Sequence, residues 1–211
     1  MDPTQTFRWS DGLVTWHFEP SGPVDWTDPA QRRVRAADCC ERLLGLLGDF
    51  GRASAAEVTT VAHGDGAFAA VFQSPAESAR FLSFVRNEDA VRDATLELTL
   101  TCLERGPSGE PRPLDLPGGA SVTLFVSLDD DGKLDGGASR AAWISLRLNV
   151  DIYAPLSWGR IRDNAELARL NGPRLGAFLA RIAAELPARP LAIDALDYEG
   201  LVDFVGFNVP T

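Results

Sequence analysis

The chain of 211 residues contains few of the side chains that build metal, disulfide or nucleophile sites. It has two histidines, one methionine and three cysteines, of which Cys39 and Cys40 are adjacent and Cys102 stands apart. No two of them have the C-x-x-C spacing of a structural zinc site. An odd number of cysteines is typical of reduced thiols in the cytosol. We therefore expect no disulfide framework, no metal and no cofactor.

Long apolar runs and a leader pattern are also missing from the sequence. No stretch approaches the roughly 20 residues that a membrane-spanning helix needs. The first residues, MDPTQTFRWSDG, lack a basic segment followed by an apolar one, which is the pattern of a secretion signal. These observations predict a cytoplasmic protein that does not associate with a membrane.

Positive charge is scarce, with 20 Lys and Arg residues against 30 Asp and Glu residues and a net charge of −10. Lys133 is the one lysine in the chain. A negatively charged protein repels nucleic acid and anionic lipid, and it meets basic partners faster than a neutral protein does. We therefore expect neither nucleic acid nor a membrane to be a partner.

Motifs that identify an enzymatic reaction are missing as well: the sequence has no G-x-S-x-G, no cysteine-protease signature and no Gly-rich phosphate loop. The stretch LDDDGKLDGG at 128–137 places Lys133 and Arg140 where a calcium-binding EF-hand needs oxygen ligands, so its Asp-Gly pairs favour a turn. His63 falls in a predicted hairpin loop, and His17 in a strand. The sequence predicts a protein without catalytic activity.

The clearest pattern that is present is WISLRLNVDIY at 143–153. Its even-numbered positions are all aliphatic, whereas its odd-numbered positions are polar or aromatic. Strict alternation predicts a β-strand with one face in an apolar core. TLELTLTCLE at 95–104 alternates in the same way and predicts a second strand of this kind.

Three helices are indicated by their start signals. Asp28 followed by Pro29 predicts a helix that ends near Leu47, and Ser74-Pro75-Ala76-Glu77 is a capping box with proline at the first helical position. A third helical region, 163–186, begins with capping-box spacing at Asp163-Asn164-Ala165-Glu166. We expect Asn171-Gly172-Pro173 to break or kink it.

Further strands are predicted at 13–19, 57–62, 67–73 and 122–128, the first of them pairing with 6–9. The Pro/Gly-rich stretch 106–119 predicts a long surface loop. Short connections favour antiparallel pairing, so the fold class is α+β: a mainly antiparallel sheet with about three helices packed on one face. We expect a single domain over residues 1–211. The alternative is two subdomains that are split at 106–119.

The odd-numbered side chains of the strand 143–153 are the candidate site. They include two aromatic residues, an arginine, an asparagine and an aspartate, and tryptophan, tyrosine and arginine are enriched at binding hot spots. The following loop adds further residues of the same types. The predicted partner-binding residues are Trp143, Arg147, Asn149, Asp151, Tyr153, Trp158 and Arg160. The alternative is a face that the protein's own tail or the stretch 106–119 covers.

These observations lead to two hypotheses about function. The first is an intracellular protein-binding inhibitor, most concretely an immunity protein that neutralises a cognate bacterial toxin by occluding its active site. The second is a small-molecule-binding protein or enzyme with a pocket between a curved sheet and the helix 163–186, lined by Trp143, Arg147, Asp151 and His17. The sequence leaves the partner's identity and the oligomeric state open, and the same face could serve a homodimer.

Overall fold

Seven strands form one antiparallel sheet in the computed structural model, which describes residues 9–22, 25–157, 162–186 and 188–209. In chain order the strands are β1 (Trp9–Pro20), β2 (Gly51–Thr60), β3 (Gly64–Val71), β4 (Val91–Arg105), β5 (Pro111–Val126), β6 (Ala142–Val150) and, near the C-terminus, β9 (Ala188–Asp194). Their order across the sheet is β3-β2-β4-β5-β6-β1-β9. β7 (Leu156–Ser157) pairs with β8 (Arg162–Asp163), and β10 (Val202–Asp203) pairs with β11 (Gly206–Phe207).

Three helices pack on one face of this sheet: α1 (Pro29–Leu46), α2 (Pro75–Asn87) and α3 (Ala165–Glu185). Their buried residues, among them Leu43, Phe81 and Leu175, belong to the same apolar cluster as Leu96 of β4 and Leu146 of β6. The predicted α+β class, with a mainly antiparallel sheet and three helices, is therefore confirmed.

The helix start signals behave as predicted at two of the three helices. Asp28 caps α1 by accepting from the Ala30 N–H at 2.8 Å. Ser74 and Glu77 form the complete capping box of α2. At α3 the side chain of Asn164 makes no cap, because it is turned inward; Asp163 accepts from the Ala165 N–H at 2.9 Å instead.

The stretch 106–119 is not a long loop, and this prediction is wrong. A short turn ends at Glu110, and β5 then runs along β4 from Pro111. The prolines are tolerated because the ladder between β5 and β6 covers only residues 120–126 of β5, so residues 111–117 form a sheet edge. Leu103 of β4 lies opposite Pro113, and its N–H and C=O groups form hydrogen bonds with the Asn171 side chain. These groups therefore point away from β5, so β4 does not need an N–H donor from Pro113.

The helix α3 continues through Pro173, so of the predicted break or kink the break does not occur. The Asn171 amide takes the place of a neighbouring strand: its Oδ1 accepts from the Leu103 N–H at 2.7 Å, and its Nδ2 donates to the Leu103 carbonyl at 2.9 Å. Arg174 donates to the Thr101 carbonyl at 2.7 Å. These bonds hold the proline-containing turn against β4.

The strand β1 lies inside the sheet, between β6 and β9. Its predicted hairpin partner, 6–9, lies outside the described residues except for Trp9, which faces Val150 of β6. Between Trp9 and Val14 the register shifts, so β1 carries a bulge there. Residues 10–13 lie beyond the end of the ladder with β9, which stops at Thr15, and they border an open space.

Candidate functional site

The candidate site lies on the face of the sheet opposite the helices, here called the outer face. Ile144, Leu146 and Leu148 of β6 are 0% exposed and point into the core. Trp143, Arg147 and Asn149 point the other way, as the alternation predicted. None of the helices in the described parts of the chain lies on this face.

Trp143 does not stand alone on the outer face. It pairs in register with Phe125 of β5, and the two rings stack with their centroids 4.9 Å apart and their planes 15° from parallel. Both residues remain partly exposed. A stacked pair fixed by two central strands presents a rigid apolar surface, which costs little conformational entropy on binding.

Asn149 organises the backbone beside Arg147. Its Oδ1 accepts from the Gly12 N–H at 3.1 Å, and its Nδ2 donates to the Gly118 carbonyl at 2.9 Å. Gly12 has a φ of +64°, and a Cβ at this position would lie 3.7 Å from the Arg147 side chain. Asn149 therefore holds the β1 bulge in place next to the exposed Arg147. Its role is structural, and it lies beside the candidate surface.

A chain of polar contacts crosses three strands next to this surface. His17 Nδ1 lies 2.8 Å from Ser145 Oγ, and His17 Nε2 lies 2.9 Å from Asp194 Oδ2. Since β1 lies between β6 and β9, the ring links its two neighbouring strands. The Asp194 side chain is 79% exposed, whereas that of His17 is 21% exposed.

The serine, histidine and aspartate of this chain are the residue types of an acyl-transfer triad, but their arrangement differs. In such triads the serine contacts Nε2 and the aspartate contacts Nδ1, whereas here the two contacts are interchanged. Ser145 is 6% exposed, and both edges of β6 are paired, so the neighbouring backbone N–H groups belong to the ladders. The geometry suits a rigid surface better than a nucleophile.

An open cleft of about 860 Å³ borders the outer face. It lies between the β1 bulge and the C-terminal segment, residues 193–202. Leu13, Ile193 and Val202 provide apolar walls. Acidic side chains line it as well, namely Asp194, Asp197 and Glu199. Asp194 belongs to both the cleft and the outer face, so a ligand in the cleft would also meet the His17 contact.

Asp151 and Tyr153 are not on the outer face, and this part of the prediction is wrong. β6 ends at Val150, and the chain turns so that residues 151–154 are buried. Asp151 is 0% exposed; Ser157 Oγ and the Tyr198 hydroxyl donate to its Oδ2 at 2.9 and 3.1 Å. Tyr153 is also 0% exposed, and its hydroxyl lies 3.4 Å from Cys102 Sγ.

The buried Asp151 joins several segments of the chain. Its carbonyl accepts from the Ala154 N–H at 3.0 Å and from Asn164 Nδ2 at 2.9 Å, while its side chain binds Tyr198 from the C-terminal segment. Asp151 is therefore a structural residue. Trp143, Arg147 and His17 lie on the opposite side of the sheet from α3, so they do not line a pocket between the sheet and that helix.

The remaining predicted site residues, Trp158 and Arg160, lie outside the described residues. Reasoning from the sequence missed Phe125 and Asp194. Phe125 could have been found, because VTLFVSL alternates and its odd-numbered residues share the face of Thr123. Asp194 could not, because its contact with His17 spans 177 residues.

The other candidates from the sequence have structural roles among the described residues. Asp129 Oδ1 accepts from the N–H groups of Asp131 and Lys133, as expected of a turn. Within 9–22, 25–157, 162–186 and 188–209, no group of three or more His, Cys, Asp or Glu residues could hold a metal ion. All three cysteines are buried. Burial raises the pKa of the Cys102 thiol to about 11.

None of the helices in the described parts of the chain is long and apolar enough to cross a membrane. Comparison with protein-family models, with curated proteins and with solved structures gives no match.

Proposed function

We propose that the chain is a protein-binding module whose outer face contacts its partner. The observation that carries this proposal is the stacked Trp143–Phe125 pair, held on central strands of the sheet and on the same face of β6 as the exposed Arg147. Aromatic and arginine side chains dominate binding hot spots. The stacking of the two rings means that they lose little conformational freedom when a partner binds.

The charge of the protein supports a basic partner. The chain carries a net charge of −10, and the outer face includes the carboxyl groups of Glu57 on β2 and Asp194 on β9. Complementary charge accelerates association and excludes partners of the same sign. Arg147 would then contact an acidic or aromatic group within an otherwise basic surface.

We propose further that this module is an inhibitor, and most concretely an immunity protein that covers the active site of a bacterial toxin. A sheet is a suitable scaffold for occlusion, because its face is broad and its strands hold each side chain in register. Occlusion needs no catalytic group, in keeping with the absence of a catalytic motif from the sequence. The partner would be a basic enzyme, such as one that acts on a negatively charged polymer.

The test compares four baits, the wild-type chain and three variants, in affinity capture from the native cell. Trp143→Ala and Arg147→Ala alter the outer face, and Arg80→Ala is the matched control because Arg80 is exposed on α2, on the other side of the sheet. We expect one protein that the wild-type chain and Arg80→Ala both retain. The outer-face variants should retain it at least about tenfold less, the equivalent of 1.4 kcal/mol. Equal capture by all four chains, or no capture, contradicts the proposal.

The inhibitor hypothesis then has its own test. The captured protein is expressed alone and together with either the wild-type chain or Trp143→Ala. We expect it to stop growth alone, the wild-type chain to restore growth, and the variant to fail. A captured protein that is harmless when expressed alone would rule out the toxin hypothesis while leaving the binding proposal in place.

The cleft supports a second candidate function. Its volume of about 860 Å³ falls within the range of small-molecule sites, and it combines apolar walls with carboxyl groups. A small cationic ligand would fit this chemistry. A thermal-shift screen against metabolites tests it: a hit whose effect is lost in Asp194→Ala but kept in Trp143→Ala would favour the cleft over the outer face.

A further inference from the structure

The two edge strands of the seven-stranded sheet differ in how well they are protected from pairing with another chain. The edge strand β9 contains Pro190, which has no N–H, and it carries the charged Arg189 and Asp194. Its ladder with β1 is interrupted by a register shift. Proline, charge and bulges are the features by which natural edge strands avoid pairing with another chain.

The other edge strand, β3, has no charge and no proline over its second half, although its ladder with β2 also shifts register between Gly64 and Phe68. From Ala67 to Gln73 the sequence is AFAAVFQ, without a charge or a proline. Val71 is 64% exposed, and Ala69 is also exposed. Among the described residues, β3 pairs with β2 alone. An uncharged, apolar edge of this kind is a template for a further strand.

The backbone groups on the free side of β3 can be identified. The Phe72 N–H donates to the Ser54 carbonyl of β2 at 2.8 Å, and β3 continues in register from this point, with Ala70 opposite Ala56 and Phe68 opposite Val58. In an antiparallel ladder, successive residues direct their N–H and C=O groups to opposite sides. The groups of residues 69 and 71 therefore point away from β2.

We propose that β3 pairs with β3 of a second copy of this chain and joins the two sheets about a two-fold axis. Two chains that each carry −10 repel one another, and this repulsion is weakest where they meet along an edge that has no charge over seven residues. The edge is also self-complementary. An antiparallel pair centred on Ala69 places Ala69 opposite its own copy and Val71 opposite Ala67 of the second copy.

The side chains fit the same register on the helix side of the sheet. Phe68 packs against Phe84 and Phe81 of α2, with ring centroids 5.1 and 6.1 Å apart. In the pair centred on Ala69, Phe68 lies opposite Ala70 of the second copy, so a large side chain meets a small one. The half-buried Phe72 also gains cover from the second copy. Pairing therefore extends the aromatic cluster across the axis.

Two-fold pairing also closes the assembly. It uses the free side of β3 in both copies, and the remaining edges, formed by β9, are the protected ones. A closed pair does not grow into a fibre. Trp143 lies on β6, four strand positions from β3 and thus roughly 19 Å away. The dimer therefore leaves both outer faces accessible, and this inference does not depend on the proposed function.

Two substitutions of Ala69 test the pairing. Ala69→Pro removes an N–H that points away from β2, so it spares the ladder within the chain. Ala69→Lys places two like charges opposite each other across the axis. Ala192→Lys is the matched control, because Ala192 is an exposed alanine on the other edge strand. Circular dichroism and the Tm confirm that each variant is folded.

Light scattering after size exclusion, over a concentration series, measures the mass. We expect the wild-type chain and Ala192→Lys to form dimers with a dissociation constant in the micromolar range, as is typical of a small interface. Both Ala69 variants should raise this constant at least tenfold. A wild-type chain that stays monomeric at the highest concentration, or Ala69 variants that dimerise like the wild type, would overturn the proposal.

The register has a separate test. Residues directly opposite in a hydrogen-bonded antiparallel pair have Cα atoms about 5.5 Å apart, which a disulfide can bridge. Ala69→Cys should therefore cross-link to its own copy under mild oxidation, while the buried native cysteines do not compete. Ala67→Cys should not, because its own copy would lie about 13 Å away. Cross-linking of Ala67→Cys, or none with Ala69→Cys, contradicts this register.

Discussion

Replacing Asp151 by alanine should reduce the stability of the fold substantially. The residue belongs to WISLRLNVDIY, whose alternation places it on the outer face, but the structure buries it completely. Its Oδ2 accepts hydrogen bonds from Ser157 Oγ at 2.9 Å and from the Tyr198 hydroxyl at 3.1 Å, and both donors belong to residues that are themselves 0% exposed. The substitution removes this acceptor, so the two buried hydroxyl groups each lose a hydrogen bond.

The size of the effect follows from these two contacts. A buried donor without its acceptor costs about 1–3 kcal/mol, so two of them cost about 2–6 kcal/mol. For a chain of this length, 1 kcal/mol lowers the Tm by roughly 2–4 °C. A loss of about 4 kcal/mol thus corresponds to a Tm lowered by roughly 8–16 °C.

Urea denaturation of Asp151→Ala, Tyr198→Phe and the double variant measures this loss and shows where it arises. Tyr198→Phe removes one donor and should cost about 1–3 kcal/mol. The double variant should cost at least about 1 kcal/mol less than the sum of the two single variants, since both act on the same contact. Asp194→Ala is the control: its side chain is 79% exposed, and loss of its contact with His17 should cost less than about 1 kcal/mol.

The reasoning would be refuted by a loss below about 1 kcal/mol in Asp151→Ala, or by strictly additive effects in the double variant. A stable Asp151→Ala chain that fails to bind the captured partner would instead support the original prediction that Asp151 contacts the partner. The two readouts, stability and capture, therefore separate the structural role from the binding role.

Three further measurements test the fold and the outer face. Ser74→Ala should destabilise the chain by about 1 kcal/mol in urea denaturation, because it removes the N-cap of α2; an unchanged midpoint would contradict the capping box. Burial raises the pKa of the Cys102 thiol from 9.0 to about 11, so the unfolded chain loses this proton first as the pH rises. This thiol should therefore lower stability by about 2 kcal/mol between pH 9 and 11, and Cys102→Ala should reduce the slope by that amount; an equal slope in both chains would exclude this thiol as a cause. Phe125→Ala should weaken partner capture as Trp143→Ala does while lowering stability by only about 1–2 kcal/mol, and unimpaired capture would exclude the aromatic pair from the interface.

Predictions from the sequence are confirmed where a short stretch decides the structure by itself. The cap at Asp28 and the capping box at Ser74 depend on residues within one helical turn. The alternation within β6 depends on successive residues pointing to opposite faces, so Leu146 and Arg147 lie on the predicted sides. These features need no information about distant parts of the chain.

Predictions fail where the neighbour of a segment decides its conformation. Pro113 is compatible with a strand because its missing N–H lies on the side that β4 does not use, and the sequence does not show which side that is. The alternation alone also did not show where β6 ends: Asp151 and Tyr153 continue it, but the chain turns there to meet Tyr198 and Cys102.

The sequence by itself therefore determined the class of the fold, the start of two helices and the inward face of β6, because periodicity and capping act between residues that are close along the chain. The tertiary structure decided the order of the strands, the burial of Asp151, the link from His17 to Asp194 and the unprotected edge at β3. These features depend on contacts between distant residues, whose partners are set only when the whole sheet assembles.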